Sequence, residues 1–151
     1  MIARRLLLSI LPLVLLAACS ATPEQKPRVP SMDEMLARMT EQSGKTCIDF
    51  SDIDSHQVLD ENVIGVSMRR GEHYLITTTQ HCQFRGGTSV TLVSDSWGML
   101  CSGGGGTVGD FGRSCPVRRI YKFPSEKLAH AALLAAKSRR EAAEEFPDQE
   151  P

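Results

Sequence analysis

The chain has 151 residues and a formal net charge of −1, from 17 basic and 18 acidic side chains. That balance gives no electrostatic footing for nucleic acid or an anionic membrane face, so neither is expected as a charge-driven partner. One Trp, two Tyr and five Phe are too few to build an aromatic core, which must come mainly from Val, Ile, Leu and Met.

Arg4 and Arg5 precede an apolar run of 13 residues from Leu6 to Ala18. A helix that crosses a bilayer needs about 20 apolar residues, so this run is too short to span. A charged start, a short apolar middle and small residues before a cleavage point make residues 1–18 a secretory signal. Leu16-Ala17-Ala18-Cys19 matches the lipobox of bacterial lipoproteins, which implies cleavage before Cys19 and acylation of its sulfur and new amino group. The competing reading is an ordinary cut after Ala18 that leaves Cys19 a thiol. Five cysteines are an odd set, and lipidation of Cys19 leaves an even one: Cys47, Cys82, Cys101 and Cys115. Lipoproteins of this kind carry three acyl chains, more than the two signals a stable anchor requires. Ser20 stands where an aspartate commonly retains lipoproteins in the inner membrane. The expected address is therefore the outer membrane, with the domain facing the periplasm. Without Arg4 and Arg5, 15 basic side chains remain against 18 acidic, a mature charge of −3.

Residues 19–30 read as a lipidated tether, stiffened by Pro23, Pro27 and Pro30. Ser31 to Gln42 reads as a short helix: Ser31 and Glu34 form a capping box, and Met32, Met35, Leu36 and Met39 recur at helical spacing. Thioethers suit Cu(I), but an apolar face packed on the domain is the expected role of these methionines. From Cys47 to Cys101 the period changes to two. Ile48 and Phe50 alternate, a polar link leads to Val58-Leu59, and Ile64, Val66 and Met68 share one face of a strand. Arg70-Gly71-Glu72 is a turn, His73 to Thr79 a β-rich return, and Gly86-Gly87 a break. Ser89 to Ser94 is a strand with Val90 and Leu92 on one face, and Asp95-Ser96 turns into Trp97 to Cys101. Ser102 to Gly109, with five glycines, is expected to be a flexible loop. Val117 to Phe123 is a further strand, with Ile120 and Tyr121 facing opposite ways. Ser125 caps a long helix from Glu126 to about Glu145, docked by Leu128, Ala131, Ala132 and Ala135 and fraying beyond Lys137. Residues 147–151 form a disordered tail, so one domain spans 31–146.

Cys47-Ile48, Val58-Leu59-Asp60, Met68 to Tyr74, Cys82, Leu100-Cys101 and Gly109-Asp110-Phe111 occur in an order that resembles a family of small proteobacterial lipoproteins and secreted proteins of unknown function. The likeness covers residues 47–115. The chain departs from the pattern after Leu100-Cys101, where Ser102 opens the glycine run instead of an acidic residue and a short strand. The resemblance implies a class and no activity.

Separations of 35, 19 and 14 residues between the four cysteines contain no CxxC, which removes the zinc-knuckle and thioredoxin-type readings. In an oxidising compartment two disulfides are expected. Of three connectivities, Cys82–Cys101 with Cys47–Cys115 is preferred, and the sequential Cys47–Cys82 with Cys101–Cys115 stays open. His56, His73, His81 and His130 show no chelating spacing, and exposed loop or strand positions are expected for them. Asp49, Asp52, Asp54 and Asp60 alternate in part like a calcium loop, but its glycine and terminal glutamate are missing, so turn and capping duties are expected. The glycine run lacks the lysine of a phosphate loop, and Ser102 and Ser114 lack a nucleophile elbow. No catalytic, metal or cofactor site is therefore expected. The fold class is α+β: a small twisted antiparallel meander, closed or half-closed, with a short N-terminal helix, a long C-terminal helix and two disulfides. The expected role is a non-catalytic binding or envelope-support module with a protein partner in the envelope. Two alternatives are an inhibitor of a lytic enzyme that probes with Ser102-Gly103, and a metal-binding or stress-sensing lipoprotein.

Overall fold

The computed structural model describes residues 28–79, 82, 84, 89–110 and 112–146. The signal, Cys19, most of the tether, His81, Gly86-Gly87, Phe111 and the tail 147–151 lie outside the described residues.

Among the described residues ten helices and strands follow in order. They are α1 (Met32–Thr40), β1 (Cys47–Asp49), β2 (Ile53–Asp60), β3 (Val63–Met68), β4 (His73–Thr78), β5 (Thr91–Ser94), β6 (Met99–Cys101), β7 (Gly106–Asp110), β8 (Arg113–Phe123) and α2 (Glu126–Glu145). A 3-10 turn, Phe50–Asp52, joins β1 to β2. The fold class is the expected α+β arrangement, a curled antiparallel sheet with a short and a long helix and two disulfides.

Pairing is sequential through β2-β3-β4 and again at β7-β8, but β8 lies between β4 and β7, so the order is β2-β3-β4-β8-β7-β5. Among the described residues β1 pairs only with β6, as a separate two-stranded ribbon. The six-stranded sheet curls until its two ends approach: His56 on β2 shares a 2.8 Å hydrogen bond with the carbonyl of Val90, just before β5. β2 and β5 remain its two edge strands.

Side chains of alternate residues sort into two cores. Ile64, Val66 and Met68 point to the inside of the curl with Tyr74, Ile76, Val108, Val117 and Ile120. Val63, Leu75, Tyr121 and Phe123 point outward, under the helices, where they meet Met32, Met35, Leu36, Ala129, Leu133 and Ala136. The helical methionines are thus core packing. Ile120 and Tyr121 do face opposite ways.

β8 is longer than its sequence suggests and carries a bulge. Thr77 pairs with Arg119 and Thr78 with Val117, which leaves Arg118 without a partner in the ladder. One extra residue in a strand resets the alternation. Val117 and Ile120 both face the inner core, and Arg118 and Arg119 both reach toward α1.

Three expectations need correction. The glycine run is only partly a loop, because Gly106 begins β7. A Cβ on Gly106 would collide with Leu100, and one on Gly105 would sit 2.6 Å from the Cys101 Cβ. These two glycines admit β6 and its disulfide against β7. Along α2, Ala129, Leu133 and Ala136 are buried and Ala132 of the expected face packs beside them, whereas Leu128, Ala131 and Ala135 of that face are exposed, as is Leu134. The helix has alanine or leucine on every face, so periodicity alone does not single out the docked one; small residues let it sit close to Leu75 and Tyr121. Its end is also held past Lys137, since Ala143 packs on the outer core and Lys137 Nζ lies 3.1 Å from Asp60 Oδ2.

The disulfide pairing is the third correction: Cys47 joins Cys101 and Cys82 joins Cys115. Neither the preferred nor the sequential connectivity holds. Cys47 and Cys101 are direct partners across the β1-β6 ribbon, with Cα atoms 4.0 Å apart. Because Thr78 lies opposite Val117, the chain leaving β4 carries Cys82 toward Cys115. Both pairs follow from strand partnerships between elements distant in sequence.

Candidate functional site

The most elaborate polar construction joins α1 to the outer face of β8. Asp33, on the first turn of α1, is only 3% exposed. Its Oδ2 lies 3.1 Å from Arg118 Nε and 3.6 Å from Arg119 Nε. Its Oδ1 accepts from the Ser31 hydroxyl at 2.6 Å, and its backbone carbonyl accepts from the Tyr121 hydroxyl at 2.6 Å. Burial pushes the Tyr121 phenol up from its ordinary pKa. A buried carboxylate is tolerated only when it is compensated; the β8 bulge supplies both arginines as charge partners and Ser31 the hydrogen bond, while Oδ2 accepts none among the described residues. No local spacing announces this network. Its sequence signal is the adjacent pair Arg118-Arg119, which interrupts the alternation of a strand.

The helix is also locked at its start. Glu34 accepts from the Ser31 backbone N–H at 2.8 Å and lies 2.6 Å from Arg28 Nη2. The Ser31 N–H first, then the Ser31 hydroxyl and Arg28, hold the Glu34 carboxyl down at about 2 against partial desolvation. A depressed carboxyl stabilises the fold fully above its unfolded pKa, near 4.5, and loses that contribution as pH falls through about 2. The stability advantage of the native chain over Glu34→Gln should therefore be constant above pH 5 and shrink steadily toward pH 2. Thermal unfolding of both proteins across that range measures it, and an advantage independent of pH would contradict the assignment.

Beside this network lies a cleft of about 440 Å³. The end of the tether (Val29, Pro30) and the start of α1 (Met32, Asp33) form one side, and Glu61 and Asn62 of the β2-β3 turn another. Thr77 and Thr78 at the end of β4 line it with Arg140 and Glu144 of α2. Thr78 is 3% exposed, and its hydroxyl has no hydrogen-bond partner among the described residues. An unmet buried hydroxyl costs about 1–3 kcal/mol unless something bonds to it. Arg140 Nε is held 3.1 Å from Glu144 Oε1, one turn away on α2.

The residues singled out in the sequence do not meet there. His73, expected to be exposed, is 2% exposed between the sheet and α2; this is a correction. Its Nδ1 lies 3.0 Å from the Ser67 hydroxyl, its ring meets His130 edge to face at 6.2 Å, and burial lowers its pKa. β4 is central in the sheet and covered by α2, which is why both faces of His73 are enclosed. Asp49 accepts from the Ser51 N–H at 2.9 Å and Asp60 from the Glu61 N–H at 2.8 Å, both in turns. Asp54, by contrast, belongs to β2 and has no turn duty. Ser102 accepts from the Thr46 N–H at 3.1 Å, and the Gly103 N–H donates to Val117, so both are pinned to the body of the domain. Ser114 is exposed on β8. Among the described residues no group of three or more His, Cys, Asp or Glu side chains is placed to hold a metal ion.

In the β5-β6 turn Trp97 stands 86% exposed. Asp95 Oδ1 accepts from the Trp97 and Met99 N–H groups at 2.9 Å each and fixes that turn.

Fold and cleft together define a disulfide-bonded α+β domain with a curled antiparallel sheet. The chain belongs to the family of unknown function DUF6491, which it matches over residues 2–142. No curated protein and no solved structure matches it.

Proposed function

We propose that this is a small lipoprotein of the proteobacterial type suggested by its cysteine pattern, anchored through Cys19 in the outer membrane and facing the periplasm. It acts by binding rather than by catalysis. The observation that carries the reading is the fate of sulfur. Cys47, Cys82, Cys101 and Cys115 are all committed to disulfides, which leaves Cys19, at the end of the lipobox, as the one remaining cysteine. Paired cysteines fit an oxidising compartment, as an exported domain requires. No helix among the described residues is long and apolar enough to cross a membrane, so the proposed anchor is the acylated Cys19. The cleft supports a binding role, since about 440 Å³ falls within the range of small-molecule sites.

The lytic-enzyme inhibitor gains nothing from Ser102-Gly103, which is bonded to Thr46 and Val117. Replacing Cys19 by alanine tests the proposal. The native protein should sediment with outer membranes and take up labelled palmitate, and Cys19→Ala should take up none. Undiminished labelling of the variant would refute lipid attachment at Cys19.

A further inference from the structure

We infer that the outer face of α2 is a dimer interface, on which α2 of a second copy of this chain packs antiparallel across a two-fold axis. The inference goes beyond the proposed ligand-binding role and concerns a different surface.

A helix docked on a sheet ordinarily turns a polar face to water. α2 does not. Leu128 and Leu134 are 52% and 65% exposed, and Ala131, Ala135, Ser138 and Ala142 are exposed beside them. Leu128, Ala131, Ala135, Ser138 and Ala142 follow one another at alternating steps of three and four residues, the spacing of a coiled-coil seam. In heptads lettered a to g, Leu128, Ala135 and Ala142 stand at a, and Ala131 and Ser138 at d. At 3.6 residues per turn this seam lies almost opposite to Ala129, Leu133 and Ala136, which bury α2 against its own sheet. The body of the domain therefore stands behind α2, and a second helix can lie along the seam without meeting it.

Charge identifies that helix. The g positions, along one side of the seam, are Lys127, Leu134 and Glu141. Among the described residues no ion pair engages Lys127 or Glu141. In an antiparallel pair of helices, g positions face g positions. Lys127 and Glu141 stand seven residues to either side of Leu134. The two-fold axis that sets Leu134 against the partner's Leu134 therefore also sets Lys127 against the partner's Glu141, and Glu141 against the partner's Lys127. The same register opposes Leu128 to the partner's Ser138 and Ala131 to the partner's Ala135, so a large side chain meets a small one. Contacts of this kind, exchanged equally between two copies, are those of a closed two-fold dimer. A parallel pair would set Lys127 toward the partner's Ala132 and Glu141 toward the partner's Phe146, and would match no charge.

Sedimentation equilibrium of the full chain, in density-matched detergent micelles in excess over protein, at low salt and neutral pH, tests this. The native chain should sediment as a dimer. Lys127→Glu and Glu141→Lys each turn both charge contacts repulsive and should weaken the dimer about tenfold, less at high salt. Their equimolar mixture pairs a chain bearing two glutamates with one bearing two lysines, and should form a heterodimer about as tight as the native dimer. Ala135→Arg, in the middle of the seam, should give a monomer with an unchanged thermal unfolding transition. All three substituted positions are exposed, and restored pairing in the mixture shows independently that both charge variants are folded. A native chain that stays monomeric overturns the inference and leaves this face to a different protein. A dimer that survives Ala135→Arg lies elsewhere on the molecule and overturns it as well. Charge variants that pair as tightly as the native chain, or that fail to complement one another, overturn the antiparallel arrangement.

Discussion

Replacing Asp33 by alanine should lower the unfolding free energy of the domain by about 3 kcal/mol. Removing one partner of a buried ion pair strands the other charge, at a typical cost of about 3–5 kcal/mol. The side chains of Arg118 and Arg119 are 38% and 32% exposed, so water screens part of their loss and the lower end applies. The variant also deprives the Ser31 hydroxyl of an acceptor and removes a group that holds α1 on the sheet. Asp33→Asn keeps the shape and an acceptor oxygen but not the charge, and should fall between native and Asp33→Ala. Urea unfolding with an unchanged m-value provides the measurement. A loss under 1 kcal/mol for Asp33→Ala would show that the two arginines are content in water and that apolar packing alone seats α1.

The weight placed on Asp33 also marks where the sequence becomes opaque. α1 was legible because its capping residues and its apolar residues at i, i+3, i+4 and i+7 are local signals. So were the face shared by Ile64, Val66 and Met68, the turn at Gly71 and the start of α2 at Ser125. Each depends on neighbours within a few residues. Asp33 does not: its reason for burial lies on β8, and Arg118 and Arg119 reach it together only because Thr77 and Thr78 skip one residue in pairing with that strand. Strand order is non-local in the same way. Nothing near Thr91 or Gly106 says that β8 will separate β7 from β4. On α2, alanine is compatible with burial and with exposure, so Ala129 and Ala135 look alike until the sheet selects one. The cleft inherits this difficulty, because Pro30, Glu61, Thr78 and Arg140 come together only when the curl has formed. His73 is illegible for a simpler reason: a polar side chain on a strand reads as a surface residue unless the helix that covers it is known.

Those hidden partnerships make the two disulfides unequal, which gives the second large effect. Cys47–Cys101 closes 54 residues and Cys82–Cys115 closes 33. In the chain-entropy account, loops of this size are worth about 4 kcal/mol each, and the longer one exceeds the shorter by only a few tenths. Entropy alone therefore predicts near equality, with Cys47–Cys101 slightly ahead. Packing reverses that order. Cys82 and Cys115 are buried in the inner core beside Val117 and Phe84, whereas Cys47 is exposed on the ribbon. Replacing Cys82 and Cys115 by alanine removes sulfur from a filled interior and adds a cavity term to the lost cross-link. The Cys82→Ala/Cys115→Ala protein should lose about 5 kcal/mol, and Cys47→Ala/Cys101→Ala about 3–4 kcal/mol. Against a typical domain stability of about 5–15 kcal/mol, the first loss is enough to unfold a marginal fold near body temperature, while the second leaves it folded. Urea unfolding of the two double variants, after non-reducing peptide mapping of the native chain, decides the matter. The map should join the Cys47 peptide to that of Cys101 and the Cys82 peptide to that of Cys115. A larger loss from the ribbon pair would mean that loop closure, and not the buried contact with the inner core, sets the value of a disulfide in this domain.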